Sequence, residues 1–204
     1  SSNLVVGQGA GTLGGTYQLF GGTLVVSNNI VEGDASGTVD STVNNAQMHV
    51  DGGTLSVVGD IDVQRFAVGQ NAGTTGAFVL ESNKVLRTSG TFAVGSAGNG
   101  AVTVSNGLVA VNDTVIGEAV AGVGVLDIHG GSMTNLSNFR VGLNGIGTMN
   151  LVDGDVTALA GFDIGLNAGG TGMVFMGTAD QSTTPTFTIA GAFDTGENGM
   201  GTLV

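Results

Sequence analysis

The sequence contains no cysteine and no tryptophan, and its one proline is Pro185. Without cysteine the chain forms no disulfide and offers no thiolate to a metal ion. A single proline excludes collagen and proline-rich linkers. No stretch approaches the ~18 consecutive apolar residues that a membrane-spanning helix needs, so we expect no direct insertion into a membrane.

Basic residues are also scarce. Only Arg65, Lys84, Arg87 and Arg140 stand against 16 acidic residues, which gives a net charge of −12. Nucleic-acid binding requires a basic surface that neutralises phosphates, so we expect no nucleic-acid partner. The same charge would be repelled by an anionic membrane surface. This balance fits a secreted protein that must not adhere to anionic surfaces.

Glycine is abundant, with 39 residues among 204, and the apolar residues are mostly valine, leucine, isoleucine and phenylalanine. High glycine together with β-branched residues is typical of many short strands joined by tight turns.

A short phrase recurs along the chain: an apolar residue, any residue, valine or isoleucine, then glycine. Its copies end at glycines that lie 22 to 36 residues apart, which is the length of one turn of a solenoid. These glycines are Gly7, Gly33, Gly69, Gly95, Gly117, Gly142, Gly165 and Gly196.

Each repeat contains two further strand-like phrases in which apolar residues alternate with other residues, as in Phe78/Leu80 and Val109/Val111. A period of two indicates strands and excludes helices. The sequence therefore predicts an all-β protein: a parallel β-helix of about eight triangular coils, each made of three short strands. We expect one domain over 1–204, with loops at 34–47 and 177–185.

Stacking the first phrase of every repeat predicts an internal column with five buried phenylalanines. Neighbouring coils in such a stack lie ~4.8 Å apart. Two positions in this register are irregular, because Glu32 falls on an inward position and the coil around Thr114 is one residue short. The predicted column consists of Leu4, Ile30, Phe66, Phe92, Thr114, Phe139, Phe162 and Phe193.

The phrases F-x-V-G, G-x-G-x-h-x-h and G-G-x-h-x-h, where h is apolar, recur over nearly the whole chain. They resemble the β-strand repeats of autotransporter passenger domains and of related glycine-rich surface proteins of Gram-negative bacteria. The resemblance implies a β-helical protein that is extracellular or displayed on a bacterial cell surface.

Two carboxylate pairs are candidates for polysaccharide cleavage: Asp60 with Asp62, and Asp153 with Asp155. Such chemistry needs carboxylates that converge on one exposed face. The basic residues are scattered over different repeats, so we interpret both pairs as solvated turn and strand residues. His49 and His129 lack obvious partners and are expected on the surface. We therefore predict no catalytic residue and no enzyme.

Calcium is the one cofactor left open. Carboxylates supply the hard oxygen ligands that Ca²⁺ prefers, and the candidate ligands are Glu32, Asp34, Asp60 and Asp62. The G-G-x-G-x-D-x-U-x calcium repeat is absent.

The hypothesis for function is an extracellular structural protein that assembles head to tail into a filament or surface layer. Unpaired strand edges at the ends of a β-helix invite pairing with a second copy. An adhesin-like fragment of a longer passenger is the alternative, and a polysaccharide lyase or hydrolase is the third possibility. The residues expected to associate are Leu4, Val5 and Val6 at one end and Phe193, Leu203 and Val204 at the other.

Overall fold

The computed structural model describes residues 3–7, 15–32, 46–177 and 184–204. Every regular element in these residues is a β-strand, and none of them forms a helix long and apolar enough to cross a membrane. Most of the two predicted loops, residues 34–45 and 178–183, lies outside the described residues. Gln47, expected at the end of the first loop, begins a strand.

The strands are short where glycine corners interrupt them and long where the chain continues through a bend. In chain order they are β1 (Leu4–Val6), β2 (Thr16–Leu19), β3 (Thr23–Val26), β4 (Ile30–Glu32), β5 (Gln47–Val50), β6 (Thr54–Val57), β7 (Ile61–Val63), β8 (Arg65–Val68), β9 (Thr75–Leu80), β10 (Val85–Val94), β11 (Asn99–Ser105), β12 (Leu108–Ile116), β13 (Val123–Asn135), β14 (Phe139–Val141), β15 (Ile146–Ala158), β16 (Phe162–Ile164), β17 (Thr171–Met176), β18 (Thr186–Ile189), β19 (Phe193–Thr195) and β20 (Met200–Leu203).

Every pairing among the described strands is parallel, as predicted, and joins a strand to its counterpart in the next repeat. The pairings form three ladders. The first runs through β1, β4, β7, β10, β12, β13, β15 and β18. The second runs through β2, β5, β8, β10, β12, β14, β16 and β19.

The third ladder has two parts. Strands β3 and β6 form a separate two-stranded sheet, and β9, β11, β13, β15, β17 and β20 continue beyond them. The long strands β10, β12, β13 and β15 bend, so that each contributes to two ladders and joins them into one large sheet. The chain visits the first, second and third ladders in that order, again and again.

The predicted aromatic column is confirmed at four positions, because Phe66, Phe92, Phe139 and Phe162 are fully buried. The ring centroids of Phe66 and Phe92 lie 6.3 Å apart, and those of Phe139 and Phe162 lie 5.1 Å apart. The prediction is wrong for Phe193, which is 43% exposed although its ring stacks on Phe162 at 5.7 Å. Among the described strands, none covers the far edge of β19.

Thr114 interrupts the aromatic column, in the short repeat that the sequence indicates. It pairs with Phe92 on one side and Phe139 on the other, and it is fully buried. Its hydroxyl donates a hydrogen bond of 2.7 Å to Oδ1 of Asn135, whose amide donates in turn to the Ser137 carbonyl. A buried polar group is tolerated when it is hydrogen-bonded, so this pair fills the column without orphaned polar atoms.

The predicted column is wrong before Phe66. Phe66 pairs with Met48 in the second ladder, whereas Leu4 pairs with Ile30, and Ile30 with Ile61, in the first. The cause is strand β7. Three strands, β5, β6 and β7, lie between the glycine-ended strands β4 and β8, where the predicted repeat has two. The order of the ladders is kept, so the glycine-ended phrase moves from the first ladder to the second. Strand β7 has no glycine of the repeated phrase at its end, so the sequence pattern did not reveal it.

We predict that Phe92→Ala destabilises the protein by about 3–5 kcal/mol, because the lost ring leaves a cavity in a close-packed column. Phe20, which is 64% exposed, provides the matched control, and Phe20→Ala should change stability by no more than ~0.5 kcal/mol. Urea unfolding of both variants measures the difference. Equal losses in the two variants would contradict the described core.

Candidate functional site

Asp60, a candidate for both catalysis and calcium binding, serves as a backbone cap. Oδ1 of Asn3 accepts the Asn29 N–H, Oδ1 of Asn29 accepts the Asp60 N–H, and Oδ1 of Asp60 accepts the Val85 N–H at 3.0 Å. This row of side chains satisfies donors at the start of the first-ladder strands. One oxygen of the Asp60 carboxylate is therefore already used by the fold.

The calcium candidates do not meet at one point. Glu32 lies on the inner side of β4, where it is fully buried and its Oε1 accepts the Ala46 N–H at 3.4 Å. Asp62 lies on the opposite side of β7, because it pairs with Val31 and not with Glu32. Asp34 lies outside the described residues. Within the described ranges no group of three or more histidine or acidic side chains is placed to hold a metal ion.

The pKa of Asp62 is raised by its surroundings in the fold. Burial raises the pKa of its carboxyl, the Arg87 guanidinium opposes this shift, and the charge of Asp60 adds to it. The raised pKa of Asp62 follows mainly from burial, to which the like charge of Asp60 adds less. It does not by itself indicate a general acid.

The second carboxylate pair lies on the surface. Asp153 and Asp155 flank Gly154 in β15, both are exposed, and Oδ1 of Asp153 accepts the Gly154 N–H at 2.8 Å. His129 pairs with Asp153 in register. Among the described residues, the ion pairs are formed by Arg65 and Arg140 with other acids.

His49 corrects one prediction, because it is only 8% exposed and does not lie on the open surface. Burial lowers the pKa of its imidazole, the nearby Arg65 lowers it further, and Asp51 opposes them. A ring nitrogen lies 3.1 Å from Oε1 of Gln47. The next outward residues of this ladder, Ala67 and Ala93, are fully buried as well. The outer side of the second ladder is therefore shielded from solvent at strands β5, β8 and β10.

Asp51, which the sequence analysis did not single out, is the best-satisfied carboxylate of this region. Its oxygens accept bonds from the Asn71 backbone at 3.0 Å, the Asn71 amide at 2.7 Å, the Gln18 amide at 2.8 Å and the Thr74 hydroxyl at 3.1 Å. Burial disfavours its charged form, but these hydrogen bonds outweigh burial and hold the pKa below the ordinary aspartate value. It fixes the corner that leads into β9.

Other polar side chains bridge successive repeats at the same kind of corner. One Arg65 nitrogen contacts Oε2 of Glu118 at 3.0 Å and the Ser96 hydroxyl at 3.1 Å. Further along, the Asn144 amide donates to the Glu118 carbonyl, and the Asn167 amide donates to Oδ1 of Asn144 at 2.9 Å. These rows tie repeats together, so their polar atoms are committed to the fold.

The open ends of the ladders remain as candidate interaction sites. Among the described strands, β18, β19 and β20 pair along one edge only. Three residues predicted to associate lie here, with Phe193, Leu203 and Val204 exposed by 43%, 47% and 69%. At the other end, Leu4 is half-buried, Val5 is exposed and Val6 is buried.

The backbone groups of the two ends are complementary. The Met200 and Val204 N–H groups point to β17, so the groups of Gly201 and Leu203 between them point to the open side. At β3 the carbonyls of Gly22, just before the strand, and of Val26 accept bonds from the β6 side, so Thr23 and Val25 face the side on which no described strand lies. Both edges belong to the third ladder.

A second opening is a groove where the third ladder is broken. Among the described residues, β6 pairs with β3 and β9 pairs with β11, but β6 and β9 do not pair with each other. The groove encloses about 320 Å³ and is lined by Leu55, Ser56, Val57, Ala77 and Val79, together with neighbouring residues. It lies where the shift caused by β7 brings two different phrases side by side.

Comparison of the chain with protein-family models, with curated proteins and with solved structures finds no match.

We predict that Asp51→Asn lowers stability by about 2–3 kcal/mol at pH 7, because it weakens several bonds to a charged acceptor. The folded-state pKa of Asp51 is depressed, so its contribution is present above the unfolded value of ~3.9 and is lost as pH falls through the folded value. Urea unfolding at pH 7 and at about pH 3 measures the change.

The difference between wild type and Asp51→Asn should therefore shrink on acidification. Asp155→Asn, at an exposed aspartate, is the matched control and should have little effect at either pH. A difference that grows as pH falls would contradict the assignment.

Proposed function

We propose that this chain is a structural parallel β-helix of eight triangular coils, which assembles end to end outside the cell. The β-helix is supported by the order of the ladders. The chain passes through the first, second and third in turn, and each ladder advances by one repeat per pass. Three flat faces enclosing one apolar interior account for this order.

The observation that carries the assembly is the match between the two open edges of the third ladder. Gly22-Thr23-Leu24-Val25 and Gly201-Thr202-Leu203-Val204 are identical tetrapeptides. Within the chain, β3 already pairs with a similar strand, Thr23 on Thr54 and Leu24 on Leu55. Pairing β20 of one copy with β3 of the next repeats this arrangement.

The same joint extends the other two ladders. β18 continues onto β1 of the next copy, and β19 continues onto β2. The counterpart of Leu4–Val6 is thus Thr186–Ile189, one strand earlier than the residues 193–204 expected from the sequence. Phe193 then gains Tyr17 as its neighbour, and its exposed ring becomes buried. A contact of this heterologous kind does not close on itself and gives a filament.

The proposed setting is the exterior of a bacterial cell. It is supported by the acidic charge, the scarcity of basic residues and the resemblance to autotransporter passenger repeats. The partner in this proposal is the chain itself, with no nucleic acid and no insertion into a membrane. The proposal includes no enzymatic activity and needs no cofactor. Calcium has no part in it, because the candidates within the described residues are separated, as Glu32 and Asp62 are, or cap a strand, as Asp60 does.

We predict that wild-type protein forms particles that lengthen with concentration, and that the double variant Phe193→Lys with Leu203→Lys stays monomeric. Two charges on the open edge would have to be buried in the joint without partners, which is unfavourable. Sedimentation velocity and negative-stain microscopy measure the length.

Val120→Lys with Leu136→Lys is the control, because it adds the same charges at residues that are 85% and 56% exposed away from the ends. It should assemble like wild type. A wild-type chain that stays monomeric at high concentration, or two double variants that behave alike, would overturn the proposal.

A further inference from the structure

The groove between β6 and β9 presents, on both walls, backbone groups that have no partner among the described residues. Thr54 and Val58 donate to β3, so the N–H and C=O groups of Leu55 and Val57 point into the groove. On the other wall, the Thr74 carbonyl accepts from Asn99. Alternation along β9 then turns the groups of Ala77 and Val79 toward β6.

Two facing strand edges of this kind can pair with each other or with one strand laid between them, and β6 and β9 form no ladder with each other. Strands in a sheet lie ~4.8 Å apart, so the walls must stand about 9.6 Å apart to receive a strand between them. β6 and β9 remain near neighbours, and the first and second ladders stay paired at this level. To receive a strand the two walls must move apart at this corner, where β6 belongs with β3 to a separate sheet and no ladder holds it to β9.

A sequence shared by two segments of the chain indicates which strand fits between β6 and β9. One edge of β6 is already occupied by β3, and the residues from Gly22, just before β3, to Val25 read Gly-Thr-Leu-Val. Residues Gly201–Val204 have the same sequence. In register, the leucine of such a strand points inward between Leu55 and Phe78. Its threonine lies beside Thr54, as Thr23 does on the other edge.

We propose that this groove is a second docking site for the Gly201–Val204 strand of another copy of the chain. It relies on the strand pairing used in the proposed end-to-end assembly but at a different edge, so a copy held here branches from the side of the filament. In its own sheet, β20 pairs with β17 along one edge. In the groove both of its edges pair.

The test is binding of a fluorescein-labelled peptide with the sequence of residues 199–204, followed by anisotropy. Two matched variants distinguish binding in the groove from binding at the open end of the third ladder. Val79→Pro removes an N–H that faces the groove, and Val25→Pro removes one that faces the open end. Both residues are exposed valines, at 53% and 64%, and proline is tolerated where the N–H is unpaired.

Val79→Pro should weaken peptide binding at least tenfold, and Val25→Pro should leave most of it. The peptide carrying Leu203→Pro should bind neither protein. Loss of binding in Val25→Pro alone places the peptide at the filament end and overturns the groove site. Absence of binding to wild type overturns it too.

Hydrogen exchange on wild-type protein gives a readout that does not depend on the variants folding. Peptide binding should protect the amides of Leu55, Val57, Ala77 and Val79, and unchanged exchange at all four would refute the site. Filament length in Val79→Pro should equal that of wild type. Failure of the groove proposal is thereby distinguishable from failure of end-to-end assembly.

Discussion

In-register parallel pairing is the constraint on which the rest of this structure depends. It sets each residue on its equivalent in the neighbouring repeat, so the chain needs like residues at like positions: phenylalanine on phenylalanine inside, and asparagine on asparagine at a corner. The corners obey the same rule. Gly95 has a φ of +69°, and a Cβ there would lie 2.2 Å from the Val123 carbonyl oxygen, so only glycine is accommodated.

Much of this architecture is readable from the sequence, because a period of two and a recurring glycine are local signals. They predict most of the strands, their parallel stacking and four buried phenylalanines, and they place Thr114 inside. They do not reveal β7, since Ile61-Asp62-Val63 is too short to stand out as a period and lacks the glycine of the repeated phrase. One unrecognised strand is enough to misplace every earlier residue by a ladder.

The candidate sites are less predictable for a physical reason. Whether a carboxylate is free depends on which backbone donor lies beside it, and that is fixed by stacking. Asp60 and Asp51 illustrate this, because each caps a strand or turn of a neighbouring repeat. The exposure of Phe193, the burial of His49 and the gap beside β6 likewise depend on what lies on the adjacent edge, which no local pattern specifies.

The extra strand β7 also determines how such a chain can change in length during evolution. Beyond it, a segment from one phenylalanine to the next, such as Phe139 to Phe162, is a complete module. Duplication or loss of such a module leaves the sequence of faces intact. A crossover between equivalent glycines on the two sides of β7 removes the extra strand and brings the earlier phrases into line with the later ones. A crossover that keeps β7 leaves the two series offset by one ladder, so the length of the chain and the alignment of its phrases change independently.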